Sequence, residues 1–142
     1  MTKQAIGAVL RQRVIEFTDG CCGYCQTSQK LIGPMMEIDH IHPKAHGGKS
    51  DEENLILACP MCNRHKSSQL KAIDPVTTQV TALFNPHTDR WHDHFEWGEQ
   101  GAIIVGVTAK GRTTVVVLDM NHPQIVSVRR MWISVGWHPP RK

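Results

Sequence analysis

The chain of 142 residues has the length of one ordinary domain with at most a small appendage. Its residues are 40% apolar and 20% charged, which excludes a disordered or collagen-like chain. The formal charge of +3, from 16 Lys and Arg against 13 Asp and Glu, does not by itself indicate a nucleic-acid partner. No apolar run reaches the roughly 18 residues that a membrane span needs, and residues 1–10 lack the pattern of a signal peptide, so we expect a cytoplasmic protein.

Apolar periodicity and turn residues predict six segments in the first half of the chain. In chain order they are a helix, a turn-rich segment, a strand, an exposed loop, a strand and a helix, over residues 5–17, 21–33, 34–41, 42–54, 55–58 and 60–72. Gly20 is expected to stop the first helix. The pair Asp74-Pro75 disfavours continuation of the last one.

The second half begins with an aromatic-rich block over residues 83–97 and a predicted strand over 102–108. A turn is predicted at Lys110-Gly111. Residues 113–120 have the β-branched composition of a strand, but the segment is too short for its periodicity to decide. A final helix is predicted after Asn121 as N-cap, from apolar residues at helical spacing. These residues are Ile125, Val128, Trp132 and Val135.

Four of the five cysteines form two C-x2-C pairs, Cys22 with Cys25 and Cys59 with Cys62, with 33 residues between the pairs. Two such pairs supply four thiolates, which predicts a closed tetrahedral Zn²⁺ site. The alternatives are small buried residues or a redox pair. Cys21 is either a spare buried thiol or an alternative ligand.

Residue types suited to hydrolysis lie in and after the segment between the cysteine pairs. They are Asp39 and His40 in EIDHIHP, Asn54 in ENL, and Asn63 and Lys66 in CPMCNRHK. An aspartate can bind Mg²⁺, and a neutral histidine can accept a proton from water. An adjacent Asp-His pair on a strand is more often a salt link or a satisfied polar pair. Asn63 and Lys66 share one face of the predicted helix, and we expect Asn63 to face the strand of Asp39 and His40.

The series CGYC, EIDHIHPKAHGG and ENLILACPMCNRHK resembles the HNH endonuclease family over about residues 10–72. The resemblance implies an α+β fold with a ββα-metal nuclease module, treble-clef-like and stabilised by the four-cysteine zinc site. This module is expected over residues 1–75. A small α/β extension, packed on the module, is expected over residues 76–142.

The resemblance also implies roles for individual residues. By matching position, Asp39 resembles the family's metal-binding acid, His40 its general base, Asn54 the residue that braces the loop and the base, and Asn63 the third motif residue. Asn at this last position, as in the family's HNN variant, is compatible with Mg²⁺ or Mn²⁺ as the catalytic ion. The implied activity is metal-dependent nicking of DNA that leaves 5′-phosphate and 3′-hydroxyl ends. The alternative is a non-catalytic zinc-stabilised DNA-binding or regulatory module.

Basic side chains are candidates for DNA contact, although any of them is also compatible with solvated surface charge. They are Arg64 and Lys66 on the predicted helix of the module, and Arg112, Arg129, Arg130, Arg141 and Lys142 in the extension. The loop histidines His42 and His46 are either phosphate or metal contacts or plain exposed side chains.

The extension resembles the segment that follows the HNH module in a group of small bacterial HNH proteins, and this likeness makes residues 112–120 part of a short helix. Its aromatic residues, Trp91, Phe95 and Trp97, either pack on the nuclease core or stack on bases. A second metal site is an alternative for its histidines, which are His87, His92 and His94. A protein partner that binds the extension is a further expectation, and the oligomeric state is left open.

Overall fold

The structure is a computed structural model that describes residues 6–141. Within these residues, short helices alternate with three separate antiparallel hairpins, which pair β1 with β2, β3 with β4 and β5 with β6. In chain order the elements are α1 (Ala8–Phe17), α2 (Gln29–Ile32), β1 (Glu37–His40), β2 (Leu55–Ala58), α3 (Pro60–Lys66), β3 (Lys71–Ile73), β4 (Val80–Ala82), α4 (Trp91–His94), β5 (Phe95–Gly98), β6 (Ile103–Gly106), α5 (Ala109–Val117) and α6 (Pro123–Ser134). The fold is the expected mixture of helices and small sheets. Across residues 6–141, every helix is too short or too polar to cross a membrane.

The unit β1–β2–α3 positions the candidate site. In its hairpin Glu37 lies opposite Ala58 and His40 lies opposite Leu55, and all four residues of β2 are buried. Helix α3 begins immediately afterwards, because Pro60 has the backbone angle of a first helical residue and the Cys59 sulfur accepts a hydrogen bond from the backbone N–H of Cys62.

Helix α3 ends at Lys66, before the predicted boundary at residue 72. Ser67 has a positive φ of 51°, which interrupts the helix, and Lys71–Ile73 then pairs as β3 with β4. The prediction of a helix over 60–72 is therefore wrong in its last turn and a half. The hydrogen-bonding partner strand, which lies beyond residue 75, overrides local helix propensity.

Helix α1 lies within the predicted segment, but only part of its apolar stripe reaches the core. Val14 is buried and Leu10 packs against the core, whereas Val9 and Phe17 are exposed. The ring of Phe17 stacks on that of His87 at 4.2 Å between centroids. The helix is therefore held to the rest of the protein by buried Val14, by the partly buried Leu10 and Ile15, and by the ring contact of Phe17.

The hydrophobic core combines side chains from before and after residue 75. Leu55 and Tyr24 belong to the same buried cluster as Phe84, Phe95 and other residues of the second half. The indole Nε1 of Trp91 donates a hydrogen bond to the carbonyl of Tyr24 at 2.7 Å. The aromatic block over 83–97 thus contributes to the core rather than presenting these rings to solvent. A division of the chain at residues 75 and 76 stays a prediction.

Two local predictions in the second half are wrong. Lys110 and Gly111 lie inside α5 and do not form a turn, because the Thr108 hydroxyl accepts from the Gly111 N–H at 3.0 Å and caps the helix. A Cβ at Gly111 would lie 2.0 Å from the His94 carbonyl oxygen, so glycine permits the close approach of α5 to α4. The helix implied by the family resemblance is present, and the strand favoured by composition is not formed.

Helix α6 is capped by a different residue from the one predicted. The N-cap is His122, whose Nδ1 accepts from the Gln124 N–H at 3.1 Å. Asn121 instead binds the backbone of Ile104, accepting from its N–H and donating to its carbonyl. Asparagine is a favoured N-cap residue, but Asn121 lies two residues before Pro123 and its side chain binds a strand that is distant in sequence.

The β3–β4 hairpin is joined to α5 by the buried carboxylate of Asp74. Arg112 donates to both carboxylate oxygens, at 3.1 Å through Nε and 2.9 Å through Nη2, and the Thr77 hydroxyl donates at 2.7 Å. This pairing does not fit the predicted role of Arg112 as a DNA contact, since its guanidinium is already engaged by a carboxylate. The Arg112 guanidinium is the largest cause that holds the pKa of Asp74 well below its usual range.

Replacing Asp74 by Asn is expected to lower the melting temperature at neutral pH. Because the pKa of Asp74 is lower in the folded protein than the value of about 3.9 in an unfolded chain, the unfolded state binds more protons below about pH 4. The difference in melting temperature between wild type and Asp74→Asn should therefore be constant from pH 8 to pH 5 and shrink below about pH 4. Circular dichroism melts across this range measure it. Equal melting temperatures at pH 7 would contradict the prediction.

Candidate metal centre and active site

The two cysteine pairs meet at one point in the core. The Sγ atoms of Cys22, Cys25, Cys59 and Cys62 all lie within 4.8 Å of one another, and all four residues are buried. Cys25 Sγ and Cys59 Sγ are 3.6 Å apart. A tetrahedral zinc ion with Zn–S bonds of about 2.3 Å separates its sulfur ligands by about 3.8 Å. The four cysteines are positioned for a zinc site.

The protonation chemistry of the four thiols fits a bound cation. Burial is the largest cause that raises the pKa of the Cys22 thiol, whereas hydrogen bonding from Cys22 and then Cys59 lowers the pKa of Cys25. Four adjacent buried thiols cannot all ionise unless a positive charge lies among them. A divalent ion with thiolate preference satisfies that condition.

The other cysteine and the extension's histidines lie elsewhere. The Cys21 thiol contacts the Asp19 carbonyl at 3.9 Å and is not part of the sulfur cluster. Within residues 6–141, the four cysteines form the one group of three or more His, Cys, Asp or Glu side chains whose ligand atoms converge. The His87 ring binds the Leu55 carbonyl and the His94 ring binds the Thr108 hydroxyl, so the alternative of a second metal site is not supported.

Asp39 lies in β1 and is buried against α3. Its Oδ2 accepts a 2.8 Å hydrogen bond from the Tyr24 hydroxyl and lies 3.3 Å from Lys66 Nζ. Burial raises the pKa of Asp39, and the charge of Lys66 is the main opposing cause. Sequence reasoning missed Tyr24, because its hydroxyl reaches Asp39 across 15 residues of chain.

Lys66 joins the end of β1 to α3. Besides Asp39, its ammonium donates to the carbonyls of His40 and Ile41 at 3.3 and 3.1 Å, and the residue is 2% exposed. This position does not fit the predicted phosphate contact, because a side chain so deeply buried does not reach DNA on the surface. Arg64, also predicted as a phosphate contact, is exposed on the same helix.

His40 is the last residue of β1 and lies at a partly open position. Its Nε2 is 2.9 Å from the Ser50 hydroxyl oxygen. Burial is the largest cause that lowers the pKa of His40, and the nearby charge of Lys44 lowers it further, so the ring is neutral near pH 7. Because β1 ends here, Asp39 and His40 contact different neighbours although they are adjacent in sequence.

Asn54 braces the loop that follows His40. Its Oδ1 accepts from the His42 N–H at 2.7 Å, and its Nδ2 donates to the His42 and Lys49 carbonyls at 3.0 and 2.8 Å. This loop also carries Ser50. The His42 ring binds the His46 carbonyl at 2.8 Å, and both histidines are exposed.

Asn63 lies on α3, one turn before Lys66, and faces β1. Its Nδ2 donates to Glu37 Oε1 at 3.0 Å. Glu37 is two residues before Asp39, so the two acidic side chains share a face of the strand. Sequence reasoning assigned no role to Glu37. Its position two residues before Asp39 was the signal that could have placed both carboxylates on one face of β1. The hydrogen bond fixes the amide of Asn63 at the face of β1 that carries Asp39.

The basic residues of the extension are placed differently from one another. Arg129 is buried, Arg130 pairs with Glu99 at 3.1 Å, and Arg141 is exposed. Lys142 lies outside the described residues. Of these predicted DNA contacts, Arg129 does not fit, because its guanidinium is enclosed in the protein.

Comparison with known proteins identifies the segment that holds this site. Residues 22–69 match the model of the HNH endonuclease family. The chain is 24% identical over 145 residues to Septu protein PtuA of Bacillus mycoides (strain KBAB4), covering 85% of this chain and 20% of that protein. It is 25% identical over 127 residues to Septu protein PtuB of Bacillus thuringiensis, covering 88% of this chain and 46% of that protein. The chain thus spans a fifth of one relative and just under half of the other, and its segment 22–69 is similar to the HNH endonuclease family.

Proposed function

We propose that the chain is a metal-dependent endonuclease that hydrolyses DNA phosphodiester bonds and nicks one strand. The observation that supports this proposal is the contact between α3 and β1, both of which lie in the segment that matches the HNH family model. Lys66 binds Asp39, and Asn63 binds Glu37. Asp39 on β1 and Asn63 on α3 therefore belong to two elements that contact each other. His40 lies at the partly open end of the same strand.

The residues present fit one catalytic divalent ion. Tyr24 and Lys66 both contact Oδ2 of Asp39, which leaves Oδ1 to act as a ligand together with the amide oxygen of Asn63. When bound, Mg²⁺ or Mn²⁺ supplies charge stabilisation at the scissile phosphate and the leaving oxygen. With one carboxylate and one neutral amide as ligands, such a site would bind Mg²⁺ weakly.

The chain's own residues then carry the proton transfer. Neutral His40 accepts a proton from water as the water oxygen bonds to phosphorus, and the bond from phosphorus to the 3′ oxygen breaks. The 3′ oxygen takes up a proton from solvent water, which leaves a 3′-hydroxyl and a 5′-phosphate. Ser50 holds the ring of His40, and Asn54 holds the loop that carries Ser50.

A second candidate function has a specific observation in its favour. The contact between Lys66 and Asp39 is a buried ion pair, and a purely structural role would account for it. On this alternative the chain is a zinc-stabilised DNA-binding or regulatory module that cuts nothing. It requires the four cysteines but has no use for His40 and Asn63.

Incubation of the purified protein with supercoiled plasmid distinguishes the two functions. The nuclease is expected to convert supercoiled DNA to nicked circles in millimolar Mg²⁺ or Mn²⁺, with ends that DNA ligase reseals because they carry 5′-phosphate and 3′-hydroxyl groups. Excess EDTA is the control. Plasmid that is bound in a gel-shift assay but uncut with either ion would favour the non-catalytic module.

Substitutions of Asn63 are expected to change how cleavage depends on metal concentration. Asn63→Ala removes a ligand, so it should raise the metal concentration needed for half-maximal nicking and lower the maximal rate. Asn63→His introduces an imidazole, so activity should persist with a preference shifted toward Mn²⁺, Co²⁺ or Ni²⁺. Metal titrations of nicking measure both effects. Three superimposable curves for wild type and the two variants would remove Asn63 from the site.

A further inference from the structure

Arg129, on α6, is a buried cation that has no carboxylate within ion-pair distance among residues 6–141. The residue is 1% exposed. Its guanidinium donates to the Ala102 and Met120 carbonyls at 3.1 and 2.6 Å and lies 3.3 Å from the Asn121 amide oxygen, all of which are neutral acceptors. Among the ion pairs of residues 6–141, none involves Arg129. Burying a charge in this way is costly unless an opposite charge lies nearby.

Part of the guanidinium also lacks a hydrogen-bond partner. The buried Nε of Arg129 donates to no acceptor within the described part of the chain. The three neutral oxygens therefore do not satisfy the whole group. Two of the three guanidinium nitrogens are hydrogen-bonded, and all of their acceptors are neutral, so these contacts leave the positive charge of the group uncompensated.

Two groups that can carry negative charge share a cavity with Arg129, namely the carboxylate of Asp119 and the cysteine cluster. With zinc bound, four thiolates and the ion would together carry a net charge of −2, larger than that of one carboxylate, and the four cysteines are buried. Cys25, Cys59 and Cys62 line the same cavity of about 160 Å³ as Arg129, together with apolar side chains such as Trp132. Burial lowers the pKa of Arg129, and the nearby cysteine charges, Cys25 first, oppose that shift.

We propose that Arg129 is the counter-charge of the zinc tetrathiolate, so that a residue of the C-terminal segment controls how firmly the HNH domain retains its zinc. The guanidinium reduces the net charge of the buried assembly from −2 to −1. This attraction would lower the free energy of the zinc-loaded state and so oppose loss of the ion. The inference depends on the cysteine cluster and not on the nuclease activity, and it gives the extension a function in the domain that precedes it.

A matched pair of variants separates charge from hydrogen bonding. Arg129→Lys keeps the positive charge, and Arg129→Gln keeps a donor but removes the charge. The rate at which each zinc-loaded protein transfers zinc to a saturating colorimetric chelator at pH 7.5 is the readout, with unfolding followed by circular dichroism in the same buffer. Asn121→Ala is the control for destabilisation, since it removes an acceptor of Arg129 and the Ile104 hydrogen bonds without changing any charge.

Arg129→Gln is expected to release zinc at least about tenfold faster than wild type, whereas Arg129→Lys should stay within about threefold of it. Asn121→Ala should melt at a lower temperature but release zinc more slowly than Arg129→Gln. Equal release rates for the Lys and Gln variants would overturn the proposal, because the charge would then make no difference.

A second variant keeps the proposal testable if Arg129→Gln does not fold. Asp119 lines the same cavity, and its φ of 48° suits asparagine, so Asp119→Asn removes a negative charge with little strain. If the charge in this cavity governs zinc retention, Asp119→Asn should release zinc about twofold more slowly than wild type. Unchanged or faster release would count against the proposal.

Discussion

Replacing His40 by Ala is expected to lower the rate of DNA nicking about a hundredfold or more, because general-base catalysis contributes that much to typical hydrolytic enzymes. The protein should otherwise be intact. His40 is half-buried at the end of β1, its side chain contacts Ser50, and the carbonyl that binds Lys66 belongs to the backbone and survives the substitution. Initial rates of nicking at saturating Mg²⁺ measure the loss.

Two controls make the result specific to the base. The zinc content, the melting temperature and the DNA affinity of His40→Ala should match those of wild type. Ser50→Ala keeps the imidazole of His40 and removes only its hydrogen-bond partner, so the expected loss of nicking rate is smaller. Nicking by His40→Ala at the wild-type rate would mean that another group activates water, or that the nicking comes from a contaminant.

Replacing Cys59 by Ala is expected to unfold the protein at room temperature. Zinc binding at four-thiolate sites contributes about 10–16 kcal/mol in isolated zinc-binding peptides, whereas a domain has a net stability of only about 5–15 kcal/mol. Cys59 also caps α3 through its sulfur, so its loss affects the helix that carries Asn63. Circular dichroism and elemental analysis test this, with about one zinc per wild-type chain and markedly less in the variant.

Cys21→Ala is the matched control, since Cys21 is equally buried but lies outside the sulfur cluster. It should retain about one zinc per chain and fold, with a stability loss of about 1 kcal/mol. A folded and zinc-free Cys59→Ala protein would show that the cysteine cluster is not what holds this part of the chain together.

Local spacing was sufficient for the parts of the site that lie on single elements. The C-x2-C pairs place two sulfurs each at the start of a turn or a helix, and such geometry depends on a few adjacent residues. The order strand, loop, strand, helix around Asp39 and Asn63 followed from apolar runs and turn residues in the same way. Asn54 ends the loop between β1 and β2, and its hydrogen-bond partners His42 and Lys49 belong to the same loop.

Boundaries and caps that depend on distant partners were predicted less well. The last part of the segment 60–72 is a strand because β4 pairs with it, and Asn121 binds β6 instead of capping α6. Composition favoured a strand over 113–120, but that segment lies largely within α5, which packs against β6 and is capped by Thr108. In each case a contact far away in sequence outweighs a local preference of well under 1 kcal/mol per residue.

The amino-acid sequence by itself determined which atoms are available for the zinc ligands and for hydrolysis, because cysteine, aspartate, histidine and asparagine have a narrow chemistry at these spacings. Only the tertiary structure decided the roles of the charged residues around them. Lys66 and Arg129 have the same charge as Arg64, but two of the three are buried. A cation can leave water only where an opposite charge or several oxygens receive it, and those groups come together from segments that are far apart in the chain.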